Sequence, residues 1–599
     1  MAAPIALMIA SLILAGVGAQ WFAWRAGVPA IVLLSALGLI LGPGTGLLDP
    51  VADFGPLLQP LVAVAVAVIL FEGGLALDFR ELRHSVSGIL RLTTIAPLLA
   101  WLLGAFAAHY LAGLSWPVAA LFGGIMIVTG PTVIAPLLRH ARLAKHPSTL
   151  LKWEGIVNDP IGALFAVLVY EIIVATEHGN GLSGVIGHLA FNILVAIAIG
   201  LIAGICTAQV FRRGWIPEFL KAPLVLGVLL TCFAGANIVQ EETGLLAVTV
   251  LGLVIGNAHL MAIDEIRRFK ETLTVILVSS VFIILTATLK WSMVEELTLG
   301  HGLFVAAMLL IVRPVSIIGA LSFSKIEWRE RLLVGWIAPR GIVAVAVSGL
   351  FGAELVHLGY ADGALLIPLA FAMVFSTVVL HGFSIRPMAR YLDLAVNGPP
   401  GVLIVGAHQW TIDLATRLDE LDIPVVVTDS RWHALRPARE AGLTTFYGEV
   451  LSEVFEHHLD TSALGKLIAA TDNDAYNTLV CTDFAPEFGR RSVFQTGIHR
   501  GSDDRSRHSA SQTLGGLPLC AKPLTTDDIR YDYRSGVSVR QTRFTDSFGW
   551  DDFIALHDEA PTVLAMVRGN QLFLGTEIPK AKPRDVILYL GMAETETAS

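Results

Sequence analysis

Charged residues are scarce in this chain, and their scarcity excludes an ordinary soluble protein. Only 15% of the 599 residues are Asp, Glu, Lys or Arg, whereas 54% are hydrophobic, and the mean hydropathy is +0.68. Soluble globular domains carry about 25% charged residues. The shortage is confined to the first part of the chain, because the composition becomes that of a soluble domain from residue 398 onward. We therefore expect a membrane domain over residues 1–392.

Cysteine and N-terminal basic residues are lacking as well. Four cysteines so widely spaced cannot form a disulfide framework or a CxxC metal site. The first apolar run, MAAPIALMIASLILAGVGAQW, has no basic residue before it, although a cleaved signal peptide begins with a positive segment. We expect this run to be the first membrane helix. The cysteines are Cys206, Cys232, Cys481 and Cys520.

Apolar runs long enough to cross a bilayer, which takes about 20 residues, occur thirteen times. A count of twelve is the main alternative, because the ends of such runs are defined only to within a few residues. The runs predict an α-helical polytopic membrane domain. The expected segments are 4–24, 27–47, 60–79, 86–112, 115–138, 149–176, 184–211, 222–239, 243–260, 271–289, 302–323, 331–354 and 363–385.

Lys and Arg are distributed unevenly among the connecting loops, and this predicts the orientation. With thirteen segments, alternate loops hold nearly all of these residues, and only Lys290 falls in an opposite loop. Because basic loops stay in the cytoplasm, we expect the N-terminus outside and the C-terminal region inside a bacterial-type cytoplasmic membrane. The basic loops hold Arg25; Arg80 and Arg83; Arg139, Arg142, Lys145 and Lys152; Arg212, Arg213 and Lys221; Arg267, Arg268 and Lys270; Lys325, Arg329 and Arg331; Arg386 and Arg390.

Two of the segments carry helix-breaking residues at their middle. Segment 5 contains VTGPTVIAP with Gly130-Pro131, and segment 12 contains GWIAPRGIVAVAV with Pro339. Proline opens the helical hydrogen-bond ladder, and such backbone is tolerated in a membrane only where it lines a cavity or lies inside the protein. If the segments are divided into 1–6 and 8–13, each break falls in the fifth helix of its half. This arrangement is typical of inverted-repeat secondary transporters.

Ionisable side chains inside the membrane point to a function, since each costs at least about 2.5–3.5 kcal/mol to insert. Segment 6 contains WEGIVNDP, in which Glu154 and Asn158 share one helix face and Asp159 lies about 100° further round. Segment 3 adds Glu72. Segments 11 and 12 add Arg313 and Arg340.

A buried carboxylate can bind a monovalent cation and a proton in turn, which is the simplest mechanism of antiport. We assign this role, and the transported metal ion, to Asp159, and expect Asn158 to orient it. Thr129 and Thr132 are candidates for further oxygen ligands. Glu72 either binds the ion, lines a funnel or pairs with a base.

Arg340 needs a buried partner because a guanidinium does not lose its proton in a protein. Glu154 is the candidate, and we expect Glu154 and Arg340 to form a structural ion pair rather than a transport site. Arg313 is expected to be structural.

Six stretches carry a resemblance to a known family: LFEGGL (70–75), VTGPTVIAPLLR (128–139), EGIVNDPIGA (154–163), ETGLLAVTVLGLVIGN (242–257), RPVSI (313–317) and APRGIVAVAV (338–347). They resemble the NhaP-type branch of the monovalent cation:proton antiporters, which includes the sodium/proton exchangers. The resemblance implies a homodimer of thirteen-helix protomers, crossing unwound helices 5 and 12, and elevator-like exchange. It also implies electroneutral one-for-one exchange, because Asn158-Asp159 stands where other branches carry two aspartates.

The sequence departs from that family at the first break. Many members read Thr-Asp-Pro there, whereas this chain reads Thr129-Gly130-Pro131. One acidic oxygen near the site is therefore missing, and the choice among Na⁺, Li⁺ and K⁺ stays open.

The soluble region begins with a strand–helix–strand pattern, GVLIVGAHQWTIDLATRLDELDIPVVVTDS, and continues the alternation to about residue 500. It resembles the RCK/TrkA-type nucleotide-binding regulatory domains, which implies a Rossmann-like fold over 398–500. The phosphate loop is degenerate, because Gly406, His408 and Thr411 stand where G-x-G-x-x-G is expected. A histidine at the second position obstructs the approach of the backbone to a pyrophosphate. Asp429, at the end of the second strand, remains a candidate ribose ligand.

The remaining chain divides into a polar linker at 501–516 and a small α/β or β-rich regulatory lobe at 517–599. No cofactor is required by these patterns, and a nucleotide effector of the cytoplasmic domain is a weak hypothesis. The expected partners are Na⁺, K⁺ or Li⁺, H⁺, the membrane and a second copy of the chain, with no nucleic acid.

Three functional classes compete. Secondary antiport is favoured, and it includes K⁺-selective efflux. Channel-like K⁺ transport gated by nucleotide binding would need a filter such as TVGYG, which is missing from the sequence. A membrane-tethered redox enzyme would need an open phosphate loop, and His408 argues against one. The chain is therefore not expected to be an enzyme.

Overall fold

The computed structural model divides into two compact units, Met1–Ala395 and Val396–Ser599. Side chains are described for most of each unit, the main exceptions being 2–6, 182–183 and 263–271. The structure describes residues 2–592 except 27, 80–84, 131–132, 135–136, 139–140, 142, 178–181, 241, 259–262, 291–294, 296, 396–400, 453–463, 498–514, 521, 523, 558–560 and 570.

The first unit is built of helices. Short π-helical turns continue α2 at Ile40–Gly44 and join α12 to α13 at Met308–Val312. The helices are α1 (Ala2–Ala26), α2 (Ala30–Leu39), α3 (Pro50–Phe54), α4 (Leu58–Leu75), α5 (Val86–Tyr110), α6 (Trp116–Ile125), α7 (Lys145–Glu177), α8 (Leu182–Arg212), α9 (Glu218–Val239), α10 (Thr243–Gly256), α11 (Ile263–Ala287), α12 (Leu299–Ala307), α13 (Arg313–Leu321), α14 (Trp328–Trp336), α15 (Ile342–His357) and α16 (Leu366–Tyr391).

Each of the thirteen predicted segments contains an apolar helix. Within the described residues, seven helical spans are long and apolar enough to cross a membrane, and six apolar helices are shorter. The helical membrane domain is thus confirmed. The number of crossings stays a prediction, because the shorter helices, such as α6 and α15, fall below the length of about 20 residues that a bilayer requires. The inverted relation of the two halves likewise stays a prediction.

The helices pack in two groups. The first bundle consists of α1, α2, α4 and α8–α11, and the second bundle of α5–α7 and α12–α16; each helix packs chiefly within its own bundle. Glycines allow the closest approaches. A side chain on Gly252 or Gly256 of α10 would collide with backbone of α4. Small residues that let two backbones approach closely are how membrane helices gain packing contacts where no hydrophobic driving force exists between them.

The second unit begins with a parallel sheet of six strands in the order β3-β2-β1-β4-β5-β6. Helix α17 follows β1 and α19 follows β4, as in a Rossmann-like fold. The elements are β1 (Gly401–Val405), α17 (Gln409–Asp419), β2 (Val425–Asp429), α18 (Arg436–Glu440), β3 (Thr444–Tyr447), β4 (Leu464–Ala469), α19 (Asp474–Phe488), β5 (Val493–Gln495) and β6 (Leu517–Pro518).

A smaller antiparallel sheet in the order β7-β10-β8-β9 completes the chain. Helix α20 precedes it and packs against α17, where the Tyr533 hydroxyl donates to the carboxylate of Asp413 at 3.0 Å. The elements are α20 (Thr526–Arg534), β7 (Val537–Arg543), α21 (Trp550–Ala555), β8 (Thr562–Arg568), β9 (Gln571–Leu574) and β10 (Val586–Met592).

The boundary of the second lobe differs from the predicted one. The expected start at residue 517 is wrong, because Leu517 pairs with Phe494 and extends the first sheet by a sixth strand. The separate sheet begins at Val537. Most of the predicted linker, 501–516, lies outside the described residues.

Candidate ion-binding site

Both predicted helix breaks are present. Helix α6 ends at Ile125, and the chain is non-helical through Gly130; α14 ends at Trp336, and α15 begins only at Ile342. The two breaks meet at backbone contact. The Gly130 amide donates to the carbonyl of Pro339 at 3.2 Å, and a side chain on Gly341 would collide with the Cα of Gly130. Only glycine fits so close a crossing.

Arg340 stabilises the first break. Its Nη1 donates to the carbonyls of Ile127 and Val128, at 3.2 and 3.0 Å, and the residue is buried. These carbonyls have lost their helical partners because α6 has ended. An unpaired buried carbonyl costs free energy, so the guanidinium supplies the donors that the open helix lacks.

Helix α16 stabilises the second break. The Arg340 amide donates to the Thr377 hydroxyl at 3.1 Å, and the Ala338 amide to Nδ1 of His381 at 3.4 Å. Thr377 and His381 are four residues apart, so they share one face of α16. Neither residue was predicted to act at the break, although two polar residues at helical spacing in an apolar segment are a usable signal.

The predicted ion pair between Glu154 and Arg340 is wrong, because Glu154 pairs with Arg313. Arg313 reaches both carboxylate oxygens: Nη1 contacts Oε1, and Nη2 donates to Oε2 at 2.9 Å. Nη2 also donates to the carbonyls of Val334 and Ile337 at the end of α14. The planar guanidinium matches a carboxylate bidentately, and Arg340 already has carbonyl acceptors. The contacts of Arg313 therefore join α7, which carries Glu154, to α13 and to the end of α14.

Asp159 lies beside the crossing. It is 1% exposed and lines a small cavity with Gly130 and Gly341, closed by apolar side chains of α4, α11 and α15. Its Oδ1 has no hydrogen-bond donor among the described residues. A buried carboxylate oxygen without a donor is costly, so this oxygen is suited to binding a cation or a proton.

The other predicted ligands occupy different places. Asn158 is anchored to α5 by a bond from Nδ2 to the Leu92 carbonyl at 3.2 Å, while its Oδ1 has no partner in the described structure. Thr129 is buried in the first break, and its hydroxyl lies 3.4 Å from the Glu154 carbonyl. Thr132 lies outside the described residues.

Glu72 is not among the residues that line the cavity. It accepts a hydrogen bond from the Thr274 hydroxyl, which joins α4 to α11 within the first bundle. The structure thus brings Asp159 together with the two breaks and places Glu72 elsewhere on α4.

The cytoplasmic unit contains a cavity of about 330 Å³ at the carboxyl ends of β1, β2 and β4. Its rim includes Asp429 and Arg431, and a loop after β4 adds Asp472. Ligands of parallel α/β sheets bind at this edge. Asp429 lies at the end of β2, as the sequence predicted, but its hydrogen-bond partners do not leave its carboxylate available to a ribose.

The residues of this cavity do not fit a dinucleotide. The Asp429 carboxylate accepts from the amides of Ala407 and Arg431 and from the Arg431 guanidinium, all within 3.1 Å. Burial alone would raise the pKa of Asp429, but these hydrogen bonds outweigh it and hold the pKa below its usual range. The ribose ligand and one amide of the phosphate loop are therefore already used.

His408 closes the same loop. Its amide donates to the Thr411 hydroxyl at 2.8 Å, and its Nε2 lies 3.4 Å from the Asp472 carboxylate. Burial lowers the pKa of the imidazole, so the neutral form prevails at physiological pH. The imidazole therefore lies beside Asp472, a residue that lines the cavity.

Discontinuous helices that cross beside a buried, unpartnered carboxylate define a secondary transporter of ions. Residues 8–391 match the family described as sodium/hydrogen exchanger, transmembrane, and the chain belongs to this family of cation/proton antiporters. Residues 402–494 match the TrkA-N domain.

Similar proteins carry antiporter names. The Na(+)/H(+) antiporter 1 of Methanocaldococcus jannaschii is 27% identical over 340 residues, which cover 55% of this chain and 78% of that protein. The K(+)/H(+) antiporter NhaP2 of Shewanella baltica is 24% identical over 405 residues, covering 65% and 68%.

A solved structure shows the same fold. The sodium proton antiporter MjNhaP1 of Methanocaldococcus jannaschii, determined at pH 8, matches with a TM-score of 0.58 at 24% identity. The match covers 65% of this chain and 98% of that one.

Proposed function

We propose that the protein exchanges a monovalent cation, Na⁺, K⁺ or Li⁺, for H⁺ across the cytoplasmic membrane, with Asp159 as the shared ligand. The observation that carries this proposal is the carboxylate oxygen of Asp159 that has no hydrogen-bond donor among the described residues, in a cavity lined by one glycine from each break. Names of relatives include both Na(+)/H(+) and K(+)/H(+) antiporters, so both cations are candidates. Cation-driven dequenching of a pH-sensitive dye in everted vesicles, compared for the three cations, tests the activity and its selectivity.

The proposed exchange rests on competition for one carboxylate. A bare charge in this apolar cavity is costly. The site therefore changes its access from one side of the membrane to the other only when Asp159 has a cation or a proton bound. We propose that oxygens of the first break, with the Thr129 hydroxyl as a candidate, complete the shell of the cation. Glu154 takes no part, because Arg313 holds both of its oxygens.

We expect the exchange to be electroneutral. One carboxylate that carries either one cation or one proton moves the same charge in both directions, so the membrane potential, worth about 2.3 kcal/mol per charge per 100 mV, has no effect. On a solid-supported membrane, a jump in Na⁺ or K⁺ should change the pH without a sustained current. The same measurement on Glu72→Gln tests the alternative. If the native protein gives a sustained current and this variant does not, Glu72 is a second proton carrier.

We also propose that the protein is a homodimer, with the N-terminus outside and the second unit in the cytoplasm. The concentration of Lys and Arg in alternate loops supports the orientation. The family resemblance supports the homodimer. Mass photometry of detergent-solubilised protein measures the assembly, and protease protection of the second unit in right-side-out vesicles measures the orientation.

The second unit is proposed to regulate exchange through its cavity, which takes a nucleoside or mononucleotide rather than a dinucleotide. Its volume of about 330 Å³ is open, while the phosphate loop is closed by His408 and Asp429 is held by Arg431. AMP should raise the melting temperature of this unit in the full-length protein, and NAD should not. A bound ligand at about 100 times its Kd stabilises by about 2.7 kcal/mol.

The double variant His408→Gly/Arg431→Ala tests the closed loop. NAD should raise the melting temperature of this variant by at least about 2–4 °C. This is the shift expected for each 1 kcal/mol of added stability in a unit of this size. Gln409→Gly/Arg436→Ala alters the exposed neighbours and is the matched control. Stabilisation of the native protein by NAD would contradict the closed-loop interpretation.

A further inference from the structure

The two bundles pack more closely within themselves than against each other. Inside the first bundle, a Cβ on Gly252 would collide with the carbonyl of Phe71, and inside the second, a Cβ on Gly123 would meet the backbone of α5. Where the bundles meet, the neighbours of the glycines are side chains: a Cβ added to Gly73 of α4 would lie 3.3 Å from Ile156, and one added to Gly382 of α16 would lie 2.9 Å from the ring of Pro29. Backbone-to-backbone packing makes each bundle a rigid block, whereas side-chain contacts between them permit sliding.

A chain of amide hydrogen bonds crosses between the bundles at one end of α7. Gln240, at the end of α9, donates from Nε2 to a carboxylate oxygen of Glu171 on α7 at 3.0 Å. Asn192 of α8 donates from Nδ2 to Oε1 of Gln240 at 2.9 Å and also contacts Nδ1 of the exposed His188 at 3.2 Å. Asn192 is 2% exposed. The first bundle thus presents an oriented donor to a carboxylate of the second.

The turn between α9 and α10 fixes Gln240 in place. The Thr243 hydroxyl donates to the carbonyls of Gln240 and Ala236, at 2.6 and 2.9 Å. The Gly244 amide donates to Oδ1 of Asn237 at 2.8 Å. A donor held this firmly moves with the first bundle, so it cannot follow Glu171 when the second bundle slides.

The position of Glu171 relates this bond to transport. Glu171 follows Asp159 by twelve residues on the same helix, which places it about 18 Å along α7, toward Glu177 and away from the Lys- and Arg-rich end at Lys145. In the proposed orientation this is the outer end. The bond therefore exists only while the bundles are together at the outer end of the ion pathway.

We propose that Glu171, Gln240 and Asn192 form an outer latch that stabilises the inward-facing state, with Gln240 as a positioning residue for the change of access. The latch rests on the proposed antiport function. A hydrogen bond that exists in one of two states shifts their equilibrium by its own free energy. For a bond to a charged group this is at least about tenfold in the equilibrium constant.

Gln240→Leu removes the latch while keeping the size of the side chain. In proteoliposomes of known orientation, the KM for the transported cation should fall about tenfold on the outer side and not on the inner side, because the outward state becomes more populated. Amide hydrogen exchange of the peptides around residues 165–177 and 236–245 should become faster.

The control is Gln20→Leu. Gln20 donates to Ser279 at 2.7 Å, but this bond joins α1 to α11 inside the first bundle. It should leave the ratio of outer to inner KM unchanged. Glu171→Ala breaks the latch from the second bundle and provides a second route if Gln240→Leu does not fold. Combined with Gln240→Leu, it should add nothing to either single change.

Unchanged KM on both sides in a folded Gln240→Leu or Glu171→Ala protein would overturn the latch, as would an equal shift in Gln20→Leu. Either result leaves the antiport proposal intact, because a native protein that couples cation and proton movement is an antiporter with or without the latch.

Discussion

Asp159→Asn should abolish exchange of Na⁺, K⁺ and Li⁺ alike, while leaving a folded protein. The amide has nearly the same shape, but it cannot bind a proton in exchange for a cation, and its carbonyl oxygen carries no charge. No residual ΔpH-driven exchange above that of empty proteoliposomes is expected. The measurement is dye dequenching with reconstituted protein, alongside a melting curve in detergent.

Asp362→Asn is the matched control for that substitution. Asp362 accepts a hydrogen bond from the Ser115 amide at 2.7 Å, away from the crossing of the breaks, so exchange should persist. Normal antiport by the Asp159→Asn protein would contradict the site assignment. Loss of exchange in both variants would point to a general effect of removing acidic residues.

Arg313→Met should lower the free energy of unfolding by about 3–5 kcal/mol, the usual cost of leaving one member of a buried ion pair alone. Glu154, which is 1% exposed, would lose the guanidinium that binds both of its oxygens, and the carbonyls of Val334 and Ile337 would lose their donor. Glu154→Gln should cost less, because the amide keeps one hydrogen bond to the guanidinium. Both effects can be measured by thermal and denaturant unfolding in detergent.

The double variant Glu154→Gln/Arg313→Met should cost clearly less than the sum of its single changes, since neither charge is then left alone. The parallel cycle with Arg340→Met should couple more weakly to Glu154→Gln, because Arg340 binds carbonyls of the first break. Stronger coupling of Glu154 to Arg340 than to Arg313 would mean that the observed pairing is wrong.

Local chemistry explains why so much of this architecture was predictable. A run of apolar residues in lipid has to form a helix, because its peptide groups find no other partners. Pro131 and Pro339 cannot donate to a helical ladder, so the breaks near them follow from composition. The burial of Asp159 was predictable for a related reason, since ionisable side chains of membrane helices almost always face the interior of the protein or a cavity.

The sequence by itself determined the apolar segments, the two breaks, the buried carboxylate and the obstructed phosphate loop at His408. Only the tertiary structure decided that Glu154 meets Arg313 and not Arg340, that Thr377 and His381 satisfy the second break, and that residue 517 extends the first sheet. The physical reason is the range of the interactions. Glu154 and Arg313 are 159 positions apart, and which guanidinium a carboxylate reaches depends on how helices pack, whereas helix formation and helix breaking depend on neighbours a few residues away.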